Sequence, residues 1–231
     1  MHKRYLTEQV KSDLKKKMVF VAGPRQVGKT TMAKTLLKEK KGAYLNWDIA
    51  EHRSSFIENP IFFEAIERKD ASTPLIVFDE IHKYKDWKNY LKGICDQFHK
   101  DFLFLVSGSG RLDLYQKGGD SLAGRYFLFH LWPFTISELA ERNQEMESFL
   151  KNPLQITMEN AAGLKDIWDR LSELSGFPEP FLSGKKTHYR RWSNTYSQQL
   201  IREANRDLTG VKSVGGMESL YLLLPSKTGS P

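Results

Sequence analysis

Gly23, Gly28, Lys29 and Thr30 hold fixed places in the octapeptide GPRQVGKT. Two glycines separated by four residues let the backbone curl until its N–H groups converge on a compact anion. A lysine and a hydroxyl directly after the second glycine add a cation and a hard oxygen ligand. Farther along, the run LIVFDE ends in Asp79 and Glu80. A carboxylate and a hydroxyl suit Mg²⁺, and a second carboxylate can orient or deprotonate water. Together these residue types point to transfer of the γ-phosphoryl group of a nucleoside triphosphate. Gly23, Pro24, Arg25, Gln26, Val27, Gly28, Lys29, Thr30 and Thr31 are the candidate nucleotide-binding residues. Lys29 is expected at the β- and γ-phosphates, Thr30 and Asp79 at the metal, and Glu80 at the attacking water.

These groups act together only if the elements around them deliver them to one place. MVFVAG (18–23) reads as a short buried strand running into the glycine loop, and a helix is expected over Thr31–Lys40. AYLNWD (43–48), PLIVFDE (74–80), FLFLVSGS (102–109) and RYFLFHLW (125–132) read as four more strands. IFFEAIERK after Pro60 reads as a helix. So does the segment from Asp86 to His99, where Trp87, Tyr90, Leu91, Ile94, Cys95 and Phe98 recur at helical spacing. Cys95 lies on that stripe and is expected to be buried. Short apolar strands without polar alternation, interleaved with helices, predict an α/β fold with a parallel sheet covered on both faces.

After Glu145 strand-like runs disappear. ENAAGLKDIWDRLSEL and THYRRWSNTYSQQLIREANRDL read as helices, joined by the turn-rich SGFPEPFLSG, and a last helix carries LYLLL. The expected division is a nucleotide-binding core over 1–145 and a helical domain over 146–231. Nothing in the sequence follows to cover those leucines, so a further domain is expected to be missing.

Composition sets the outer bounds. The 231 residues are 40% hydrophobic and 27% charged, as in globular proteins, and no apolar run approaches a membrane span. A single cysteine excludes an internal disulfide framework and fits a cytoplasmic location. Residues 1–41 hold 12 Lys/Arg and 3 Asp/Glu, an excess of nine, whereas the other 190 hold 23 and 25. The basic end can meet phosphates, including those of DNA, but no stripe of stacking aromatics accompanies it.

The ordered set GPRQVGKTT, LIVFDEIHKYKDWKNYLK, LVSGS, SLAGRYFLFHLWPFTISEL and GFPEPFL resembles the AAA-plus P-loop ATPases, in particular a prokaryotic, archaeal-type subgroup of ATP-binding proteins. Members join the core to a C-terminal domain of unknown function, which is expected to be truncated in this sequence. The resemblance implies a three-layer sandwich with a five-stranded sheet in the order 5-1-4-3-2, a helical lid, ATP and Mg²⁺ as ligands, and assembly into oligomers. It implies a polar residue at the end of the fourth strand that senses the γ-phosphate; Ser107 and Ser109 match, and Ser109 is preferred. Gly176 and Pro178 in GFPEP match a lid turn that meets the adenine. No arginine of the lid stands out as a sensor, Arg190 and Arg191 being the candidates.

Two further cations are candidates for the γ-phosphate. Arg111 follows the sensing serines and is the better choice within one chain. Arg125 enters the fifth strand, a sheet length from its own phosphate by strand polarity. That leaves it a role across a subunit interface or a salt bridge at the SLAG turn. The expected function is Mg²⁺-dependent ATP hydrolysis coupled to a conformational change. The alternatives are a nucleotide-dependent switch and a DNA-associated ATPase with very slow hydrolysis.

Overall fold

The computed structural model describes residues 4–66, 72–109, 122–141, 150–152, 161–207 and 214–227. The chain divides into two compact units, Met1–Thr157 and Met158–Pro231.

In the first unit α1 (Thr7–Leu14) leads into β1 (Met18–Ala22), and α2 (Lys29–Glu39) into β2 (Gly42–Asn46). There follow α3 (Ala50–Glu58), β3 (Leu75–Asp79), α4 (Trp87–Phe98), β4 (Leu103–Ser107), β5 (Tyr126–His130) and the short α5 (Ile136–Leu139). The five strands form one parallel sheet in the order β2-β3-β4-β1-β5, which is the expected 5-1-4-3-2. Every residue of β1, β3 and β4 is buried, as uniformly apolar strands require. The edge strands β2 and β5 are only partly buried, a distinction that their apolar sequences do not show.

The core follows from the pleat. Phe20, Ile76, Phe78, Phe104 and Val106 form one cluster with Trp87, Leu91 and Ile94 of α4. Alternate residues face the other side of the sheet. α1 and α2 pack against the sheet and each other, burying Val10, Leu14, Met32, Ala33 and Leu36. Cys95 is buried on α4, and burial pushes its thiol pKa up.

Gly42 does more than end the preceding helix. A Cβ there would lie 1.8 Å from the Leu75 carbonyl oxygen, so only glycine lets β2 approach β3. IFFEAIERK does not form the expected helix over its described part: Phe62–Ala65 is one 3₁₀ turn. Phe63 is drawn into the core at 5.0 Å from Phe102 and 5.4 Å from Phe98, ring centre to ring centre. That burial outweighs local helix propensity.

The second unit contains α6 (Ala161–Leu174), α7 (Pro178–Ser183), α8 (Lys186–Asp207) and α9 (Val214–Lys227). SGFPEPFLSG is therefore not a bare connector. Pro178 sits at the start of α7, where it sacrifices no helical hydrogen bond, and Gly184 ends the helix in a left-handed conformation. Phe177 packs on the α8 stripe, 5.0 Å from both Trp192 and Tyr196. No described helix is long and apolar enough to cross a membrane.

Candidate functional site

The parallel register brings the strand ends to one edge. Val21 and Asp79 both pair with Ser107, Asn46 pairs with Asp79, and Ala22 pairs with His130. Whatever follows each strand is therefore gathered at the carboxyl edge, where open α/β sheets hold their ligands.

The glycine loop spans β1 and α2. Gly23 has φ +149° and passes so close to the strand beside it that a Cβ would lie 2.3 Å from the Leu131 carbonyl oxygen. Gln26 and Gly28 also take positive φ, 59° and 99°. The loop then enters α2, whose amino end presents N–H groups and a partial positive charge. Pro24, Arg25, Gln26 and Thr31 lie on its solvent-accessible side, whereas Val27 is fully buried.

Lys29 opens α2 and is itself buried. Its Nζ curls back over the loop and donates to the carbonyls of Gly23 at 2.9 Å and Pro24 at 2.7 Å. Burial lowers its pKa, and the negative charges of Glu80 and Asp79 oppose that shift. A cation held in so dry a place gains from an added anion.

Asp79, 2% exposed, accepts hydrogen bonds from three hydroxyls, each at 2.7 Å. Thr30 Oγ1 and Tyr44 Oη donate to one carboxylate oxygen, and Ser107 Oγ to the other. Thr30 and Asp79, the two expected metal ligands, are thus side by side. A carboxylate with a neighbouring hydroxyl is a hard-oxygen set of the kind that holds Mg²⁺ through few protein ligands, the phosphates supplying others. Among the described residues no cluster of three or more His, Cys, Asp or Glu is placed to hold a metal.

Glu80 has φ +58°, a left-handed conformation that costs a residue with a side chain about 1–3 kcal/mol. Its N–H donates to the Ser107 carbonyl at 2.8 Å, tying the turn to β4. One carboxylate oxygen is buried without a hydrogen bond, 3.4 Å from Lys83 Nζ and 3.5 Å from His82 Nε2. Burial raises the Glu80 pKa, and the Lys83 charge works against the rise.

The structure thus brings Gly23, Gly28, Lys29, Thr30, Asp79 and Glu80 to one edge. Of the two serines, Ser107 is buried and committed to Asp79, while Ser109 lies two residues past β4 and is partly buried. Gly176 and Pro178 belong to the second unit. Arg190 and Arg191 lie on α8. Arg111 lies outside the described residues.

Arg125 is not brought to this edge. It precedes β5 at the end where Met18 pairs with Tyr126, and strands rise about 3.3 Å per residue, so roughly 13 Å of sheet lies between. Its guanidinium is held by both carboxylate oxygens of Asp96, at 2.6 and 3.1 Å. Strand polarity leaves Arg125 either a role across a subunit interface or a salt bridge beside the SLAG turn, and its pairing with Asp96 of α4 is such a salt bridge.

Tyr44 escaped sequence reasoning. Nothing in AYLNWD marks its hydroxyl as an Asp79 partner, because the contact exists only once β2 pairs with β3. Burial and the Asp79 charge push the tyrosine pKa up, so the hydroxyl stays a donor at neutral pH. Tyr44→Phe is expected to weaken divalent-cation affinity three- to tenfold, about one hydrogen bond, with little loss of stability. Mn²⁺ titration by electron paramagnetic resonance in the presence of ADP measures it, and an unchanged affinity removes Tyr44 from the metal site.

A glycine loop between a buried strand and a helix, facing an acidic strand end in a 5-1-4-3-2 sheet, defines a P-loop nucleotide-binding fold. The AAA domain model matches residues 15–140, more than half of the chain. The protein belongs to that family of nucleotide-binding ATPases. No curated protein matches. Solved structures with similarity include a STAND signal-transduction ATPase with a tetratricopeptide repeat sensor from Pyrococcus horikoshii, at 15% identity and a TM-score of 0.42, over 74% of this chain and 28% of that one. The RuvB Holliday junction branch migration motor of Thermotoga maritima gives 21% identity and 0.42, over 76% and 59%. AMPPCP-bound DnaA from Aquifex aeolicus gives 14% and 0.46, over 91% and 62%. This chain spans less than two thirds of the length of each.

Proposed function

We propose that the protein binds ATP with Mg²⁺ at this edge and hydrolyses it to ADP and phosphate, coupling turnover to a conformational change. The observation that carries the reading is the placement of Glu80, a strained and partly dehydrated carboxylate next to the Thr30–Asp79 pair. The loop N–H groups and Lys29 hold the phosphates. Thr30 and Asp79 would hold Mg²⁺, which when bound neutralises charge on the β- and γ-phosphates. Glu80 accepts a proton from water as the water oxygen bonds to the γ-phosphorus and the bond to the β–γ bridging oxygen breaks. Measuring phosphate release from ATP with Mg²⁺ and with excess chelator tests this. Metal-dependent release is expected, and the absence of release with Mg²⁺ overturns it.

A second reading, a slow nucleotide-controlled switch, has one specific support: Lys83 and His82 flank the Glu80 carboxylate and restrain the base. Lys83 is itself anchored by Asp48, at 2.6 and 2.7 Å. On this reading Lys83→Ala speeds turnover.

A further inference from the structure

Arg4 makes contacts that none of the roles above requires. It is 7% exposed, and its guanidinium bonds to three separate stretches of chain. Nη1 donates to the Val27 carbonyl at 2.6 Å. Nε donates to Glu138 Oε1 at 2.7 Å, and Nη2 reaches Glu138 Oε2 at 3.4 Å and the Trp132 carbonyl. The plane lies 4.8 Å from the centre of the Phe134 ring. The Glu138 side chain is 4% exposed and also accepts from the Tyr5 N–H at 2.9 Å. Glu138 is held in turn by the turn before α5, where its own N–H donates to the Thr135 hydroxyl at 3.2 Å.

One of those contacts falls on the phosphate loop. The described peptide bonds are all trans, so the Val27 C=O and the Gly28 N–H share a plane and point in opposite directions. Arg4 is buried, so the carbonyl it grips points inward, and the Gly28 N–H points outward. Gly28 has φ +99° and Gln26 φ +59°, so this peptide belongs to a stretch with no regular hydrogen-bonding ladder to hold its plane. A charged donor gripping the carbonyl also polarises the peptide and strengthens the opposite N–H as a donor.

We propose that Arg4 is a positioning residue for the phosphate loop: braced by Glu138, it holds the Val27–Gly28 peptide so that the Gly28 N–H faces the bound β-phosphate. This rests on the nucleotide reading above. Arg4 touches no ligand and acts only through the peptide.

The role can be separated from fold maintenance. Removing one member of a buried ion pair leaves a buried charge and can unfold a protein, whereas exchanging both for apolar residues of similar volume is often neutral. Arg4→Met with Glu138→Leu is therefore expected to retain the fold and lose the tether. The measurement is calorimetric affinity for ADP and for AMP, which lacks the β-phosphate, with melting temperature alongside. The double variant is expected to melt close to the unsubstituted chain, bind AMP unchanged and bind ADP about tenfold more weakly, the value of one charge-assisted hydrogen bond. In the ADP complex the Gly28 amide resonance is expected to shift less than in the unsubstituted chain. If the double variant does not fold, Arg4→Lys, which keeps the charge but not the fork, is expected to narrow the same ADP-to-AMP ratio. An unchanged ratio in whichever variant folds overturns the inference alone. Failure of the unsubstituted chain to bind ADP overturns the nucleotide reading and this inference with it.

Discussion

Glu80→Gln is expected to keep ATP bound and to reduce turnover by about 10²–10⁴-fold, the usual contribution of a positioned general base. The amide has the shape of the carboxylate and leaves the glycine loop and Lys29 untouched, so affinity should persist. It cannot accept the proton that water must lose. A pH profile adds a second sign. Burial raises the Glu80 pKa above the ordinary glutamate value of 4.5, and the base works only when deprotonated. Turnover should therefore fall, as pH decreases, through an acid limb lying above 4.5, a limb that Glu80→Gln abolishes. Glu80→Gly separates strain from chemistry. Glycine adopts φ +58° without the left-handed penalty of about 1–3 kcal/mol, so the variant should melt higher while losing turnover. Phosphate-release kinetics with parallel ATP titration decide the matter. Turnover equal to that of the unsubstituted chain in Glu80→Gln removes Glu80 from the reaction.

The second large effect belongs to Lys29. Lys29→Met should weaken ATP binding by roughly 10–100-fold, the worth of hydrogen bonds to a charged group. It should also leave the melting temperature of the nucleotide-free chain unchanged or raise it. The opposite signs follow from one cause: burial disfavours the lysine charge in the folded chain, and the negative charges of Glu80 and Asp79 only partly compensate. Because the folded pKa lies below the unfolded value of 10.5, the unfolded state holds the proton more firmly. Stability should then rise with pH between the folded Lys29 pKa and 10.5, a gain absent in the methionine variant. Calorimetric titration and thermal melts across that range test both halves. A variant that melts lower and still binds ATP normally overturns the assignment.

The parts of the site legible in the sequence are those whose chemistry is written in contiguous residues. GPRQVGKT requires positive φ at two glycines and a helix directly after, and both follow from local sterics. LIVFDE delivers two carboxylates to a strand end because a short apolar run has room for little else. The helix at Trp87–Phe98 was legible for the same reason, since its apolar spacing matches the helical period over its whole length. Local reasoning failed where distant packing intervened. Phe63 leaves a helical pattern for an aromatic cluster assembled from α4 and β4. Pro178, taken as part of a turn, starts a helix that Phe177 anchors on α8.

By itself, then, the sequence determined that a phosphate loop, an acidic strand end and a buried parallel sheet exist, because each is a property of a few adjacent residues. Only the tertiary structure decided what those residues touch. Tyr44 meets Asp79 across a strand pairing, Ser107 is turned to the same carboxylate, and Arg4 joins Val27 to Glu138, which lies 134 positions beyond Arg4. Arg125 is carried to the edge opposite the phosphate loop because β5 runs parallel to β1. Such contacts depend on strand order and register, which arise from packing the whole core at once.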